Sequence, residues 1–124
     1  MTGLATIIVA LALPIYTTGK ATGERDVCHT RWGHDRRHVT LAMKMTVAKR
    51  YGVLRTQWRR YEFDHLIPRE LGGADDIENL WPQPLAEARA KDRIENRLHR
   101  AVCAGMLTLP EAQGRIVTWW KEER

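Results

Sequence analysis

The sequence predicts a single α+β domain, read in order as helix, two short strands, helix and helix. Three observations carry this. Apolar residues recur at helical spacing in three separate segments, residues 40–51, 85–104 and 108 onward. Residues 61–67 form a short β-type run ended by Pro68, and Leu80-Trp81 is a minimal second run closed by Pro82 and Pro84. The chain of 124 residues is 44% hydrophobic and has no low-complexity run or internal repeat, which suffices for one core and excludes a disordered protein.

Each element has local reasons. In the first helix Leu41, Met43, Met45, Val47, Ala48 and Tyr51 fit a helical face loosely, and Gly52 is placed to stop it. Between the strands, Arg69-Glu70-Leu71-Gly72-Gly73-Ala74-Asp75-Asp76 is rich in turn residues and lets the chain double back. In the second helix Ile94, Leu98, Ala101 and Val102 share a face, and Gly105 marks its end. Thr108-x-x-Glu111 is a capping box opening a last helix, whose Ala112, Ile116, Trp119 and Trp120 pack inward.

Residues 4–16, LATIIVALALPIY, are uncharged and apolar, about as long as a signal-peptide core and shorter than a membrane span. The polar, Gly-containing stretch 17–24 reads as a linker. Residues 1–23 are therefore expected to be a signal peptide or N-terminal anchor, and residues 24–124 the domain. That implies an exported protein, periplasmic or secreted, with membrane contact only through an uncleaved N-terminus. Two cysteines are too few for a disulfide scaffold or a four-cysteine zinc site. In an oxidising compartment Cys28 and Cys103 could close a long loop, stabilising the fold by about 3–4 kcal/mol; in a reducing one they would be buried thiols.

The formal net charge of +5 suggests a polyanionic partner. It is unevenly spread: residues 24–63 carry ten basic and four acidic side chains, residues 64–124 nine and eleven. Arg50, Arg55, Arg59 and Arg60 are interleaved with Trp58 and Tyr61, a mixture that suits a phosphate backbone with bases nearby, although a solvated helix face looks the same. His29, His34 and His38 have no cysteine pair beside them, so solvated or phosphate-contacting roles are expected rather than a metal site.

The informative stretch is Asp64-His65-Leu66-Ile67-Pro68-Arg69-x-Leu71-Gly72-Gly73, then Asn79-Leu80-Trp81-Pro82. A strand ending in Asp-His puts a carboxylate and an imidazole on opposite sides of the backbone. Asp64 can hold a hard divalent cation, His65 can take a proton from water near neutral pH, and Asn79 can bond the imidazole or a nearby backbone group.

This combination resembles the HNH family of nucleases, the ββα-metal fold, and most closely small bacterial HNH-like proteins with the string DHLIPxxLGGxxDxxNLWPxP…KDxxEN. The likeness covers roughly residues 61–99, with a weaker echo in residues 32–40. It implies a divalent-metal nuclease hydrolysing phosphodiester bonds, with Mg²⁺ or another divalent ion as cofactor and DNA as the expected partner, in a monomer or weak dimer. It casts His65 as general base, Asn79 as the orienting residue, Asp64 as the strand metal ligand and Lys91 as the family's helix lysine. It also casts Arg69, with the basic block, as a phosphate contact. The chain departs from the family on the helix, where the usual His or Asn ligand falls on Ala88. Asp92, one turn on, is the expected replacement; Glu87 is the next candidate, and Glu95 and His99 share the same face. The departure keeps a second reading open, a weak or inactive HNH fold that binds nucleic acid or protein.

Overall fold

The computed structural model describes residues 16–29 and 38–123. Among them are three α-helices, α1 (Leu41–Tyr51), α2 (Leu85–Cys103) and α3 (Leu109–Glu123), and a two-stranded antiparallel sheet of β1 (Tyr61–His65) and β2 (Leu80–Pro84). The α+β class and the element order are as expected. The apolar run falls outside the described residues except for Tyr16.

The helix ends follow from the residues that mark them. Thr40 caps α1 by accepting from the Met43 amide, and Gly52, at φ 68°, closes it in a left-handed turn. At the start of α3 the Thr108 hydroxyl accepts from the Glu111 amide while the Glu111 carboxylate accepts from the Thr108 amide, each at 3.2 Å. The two strands differ from expectation in length. β1 stops at His65, and β2 continues through Pro82 and Pro84, which pair with Phe63 and Tyr61. Proline is tolerated there because a two-stranded ribbon leaves each strand one edge that needs no donor.

Two apolar clusters flank the sheet. Val47, Ala48 and Tyr51 of α1 pack with Val53, Leu66, Leu80 and Trp81. Ile67, Leu71 and Leu98 pack with Ala112 and Ile116 of α3. Together they fix the strand–loop–strand unit between α1 on one side and α2 and α3 on the other.

The stretch expected to be a linker is instead built into the fold. The Tyr51 hydroxyl accepts from the Tyr16 and Thr17 amides and donates to Thr17 Oγ1, which donates to the Leu80 carbonyl. Ala21 forms a β-bridge with Gly73, Val27 is buried, and Cys28 is disulfide-bonded to Cys103. Small polar residues resemble a linker because they bury little apolar surface; here backbone amides and the buried Thr17 hydroxyl make the contacts. A boundary at residue 23 would cut through this strap.

No helix among the described residues is long and apolar enough to cross a membrane.

Candidate functional site

The strand–loop–strand unit carries Asp64, His65 and Asn79, and each side chain has different partners. Asn79 is fully buried at the end of β2's approach. Its carbonyl accepts from the Ile67 and Lys20 amides, and its amide donates to the Ile67 and Ala74 carbonyls. Of the two expected roles for Asn79, the structure has the backbone one. It spans the loop and does not touch the imidazole. Gly73 is required beside it, because a Cβ there would collide with the Ile67 carbonyl and crowd the Asn79 amide.

The imidazole has a partner that the sequence did not reveal. His65 Nε2 lies 2.7 Å from Asp75 Oδ1. An ionised carboxylate can only accept, so Nε2 carries the proton and Nδ1 keeps its lone pair. Burial holds the imidazole below its ordinary pKa, against the opposing pull of Asp75, so the ring is neutral at physiological pH. Burial pushes Asp75 up, but the His65 hydrogen bond and the Arg69 charge outweigh it and hold the carboxyl below its usual range. Arg69 Nε is 3.6 Å from Asp75, and the His38 amide donates to the other carboxylate oxygen. Arg69 thus sits at the dyad itself, apart from the basic block.

On the opposite side of β1 lies a second, drier cluster. The Lys91 ammonium, with no exposed surface, is 2.8 Å from Asp64 Oδ2 and 3.0 Å from Glu95 Oε2, and donates to the His65 carbonyl at 2.9 Å. The Trp81 indole N–H donates to the same Asp64 oxygen at 3.0 Å. Burial lowers the Lys91 pKa, but Asp64 and Glu95 more than compensate and raise it. Glu95 is pushed up to about 8, chiefly by burial and against the pull of the Lys91 charge. Lys91, cast as the family's helix lysine, is sealed inside, where it holds Asp64 and the end of β1. Asp92 is exposed, and the helix carboxylate that joins the cluster is Glu95, one turn further on. Its signal in the sequence was the i,i+4 spacing from Lys91, which resembles an ordinary surface ion pair.

A divalent cation places definite demands on these residues. Asp64 Oδ2 is held by Lys91 and Trp81, whereas Oδ1 takes no hydrogen bond from the described residues. A carboxylate oriented through one oxygen and open at the other suits Mg²⁺, which keeps most of its waters and takes one or two carboxylates plus substrate phosphate. Among the described residues Asp64 belongs to no set of three His, Cys, Asp or Glu ligand atoms within 4.8 Å of one another. The described residues therefore offer an ion at this position a single carboxylate. The set that does meet that spacing is Cys28, His99 and Cys103, and its two sulfurs are bonded to each other.

Of the basic residues, Arg50 ends α1, and Arg55, Arg59 and Arg60 lie on the 3₁₀ turn Arg55–Arg60; all four are exposed. Arg55 stacks on Trp58, 4.1 Å from the ring centroid. Glu87 is half-buried near the start of α2. His29 is exposed and bonded to Asp26, and His34 lies outside the described residues.

Comparison with family models gave no match, and comparisons with curated proteins and with solved structures gave none.

Proposed function

We propose that this protein is a phosphodiester-hydrolysing nuclease acting on DNA, with His65 as general base and a divalent metal ion held at Asp64. The observation that carries the reading is the His65–Asp75 pair at 2.7 Å, set one residue from an oriented carboxylate. Asp75 fixes the tautomer and turns the ring, burial keeps it neutral, and Nδ1 is the atom that removes a proton from the attacking water. When the imidazole becomes charged, Asp75 stabilises it. A divalent ion at Asp64 would neutralise charge on the phosphate and on the leaving oxygen. Lys91 and Trp81 keep Asp64 aimed for that contact. Arg55, Arg59 and Arg60 supply a positive rim beside β1 that holds phosphates without reading sequence.

The disulfide supports a place in an oxidising compartment, periplasmic or secreted. A second reading, a binding module without catalysis, is favoured by Ala88 and by the single carboxylate at the ion position. One experiment separates the two. The full-length, oxidised protein is incubated with plasmid DNA in Mg²⁺, Mn²⁺ or EDTA, beside His65→Ala. Nicking that needs the metal and His65 is expected. Nicking that survives EDTA and the substitution overturns the metal-nuclease reading, and salt-sensitive binding without nicking selects the binding module.

A further inference from the structure

β1 alternates its side chains across the sheet, so Tyr61, Phe63 and His65 share one face. That face borders a cleft of about 330 Å³ lined also by Val39 and Lys44 from around the start of α1, by Trp58 and by Glu62. The volume is at the lower end of small-ligand sites. Its lining combines the rings of Trp58, Tyr61 and Phe63 with the polar Lys44 and Glu62, and includes the imidazole assigned above as general base. Cations stand at the rim: Lys44 Nζ lies 5.8 Å from the Phe63 ring centroid, near the outer limit for a cation–π contact, and Arg55 covers Trp58. Phe63 meets Trp58 edge-on at 4.8 Å, which holds its ring in place.

An aromatic track with basic residues at its edge and a base catalyst in its lining is the chemistry that receives an unstacked nucleobase next to its phosphate. A paired base in a duplex cannot offer its face to such a track. We propose that the cleft seats the unpaired nucleobase flanking the scissile phosphate, so that the substrate is single-stranded or frayed DNA. This rests on the nuclease reading and narrows it. Lys44 is close enough to exchange its weak contact with the ring for the phosphate of the same nucleotide.

The test uses the full-length oxidised protein, a labelled single-stranded DNA 20-mer and the blunt duplex made from it. Binding is read by anisotropy in EDTA and cleavage in Mg²⁺. The expected result is about tenfold tighter binding and faster cleavage of the single strand, with Phe63→Leu losing about tenfold of the single-strand affinity and little of the duplex affinity. Should Phe63→Leu misfold, the wild type alone decides through competition: adenosine 5′-monophosphate should displace the single strand at concentrations where ribose 5-phosphate does not. Equal binding and cleavage of both DNAs, or equal competition by both monophosphates, overturns the proposal. Metal-dependent, His65-dependent cleavage without strand preference removes this inference and leaves the nuclease reading. A base-dependent single-strand preference without cleavage does the opposite.

Discussion

The two faces of β1 carry adjacent residues into opposite environments. Asp64 is turned toward Lys91, which has no exposed surface, and Glu95, whose pKa burial raises. His65 faces a cleft, with Asp75 and Arg69 behind it. The inward face is anchored by the buried Lys91, whereas the outward face is oriented by Asp75 and borders the cleft; the Asp64 and His65 side chains themselves are about equally covered. A strand end that needs both a fixed carboxylate and a reactive imidazole obtains them from the period-two alternation of the backbone alone.

That contrast predicts that damage to the inward face costs stability and damage to the outward face costs rate. Lys91→Met should show the largest effect, because it removes the buried ammonium 2.8 Å from the Asp64 carboxylate. A loss of about 3–5 kcal/mol in chemical denaturation is expected. A loss below about 1 kcal/mol would mean that the cluster is wet and the contrast false. Asp75→Asn should lower cleavage by about a hundredfold while the melting temperature stays within a few degrees. A large fall in melting temperature would place Asp75 with the structural residues instead.

Glu95→Gln sharpens the contrast further. A carboxyl with a folded pKa of about 8, above its ordinary 4.5, favours the fold when protonated. Its contribution is whole at acid pH, below the unfolded value, and is lost as pH rises through about 8. The wild type should therefore lose stability across that window, and Glu95→Gln, a neutral isostere, should flatten the slope in melting curves taken from pH 5 to 9. A slope unchanged in the variant would assign the titration elsewhere. The smallest effect is expected for Arg59→Gln on the exposed rim. It should weaken DNA binding a few-fold, reduce its salt dependence by about one phosphate contact, and leave stability untouched.

Legibility in the sequence tracked the range of the interaction. Thr40 with Gly52 and Thr108 with Glu111 were readable because a cap is a matter of three or four residues. The Asp64, His65 and Asn79 set was readable as a motif, and the structure carries it on the strand–loop–strand unit. Asp75 was not, since nothing in a run of turn residues distinguishes a carboxylate that bonds an imidazole ten positions back. Lys91 and Glu95 resembled a solvated pair, and only the packing of α2 on β1 buries them. The packing of residues 17–21 was not legible because their partners, at Tyr51, Gly73, Asp76, Asn79 and Leu80, lie 34 or more residues away.

That stretch sets the order in which the molecule can be completed. The partners of Thr17 and Lys20 lie 63 and 59 residues later, and Cys28 waits 75 residues for Cys103. The strap therefore cannot make these contacts until the chain has been extended through Leu80, and the disulfide cannot close until Cys103 has been made. Such long-range closure slows folding.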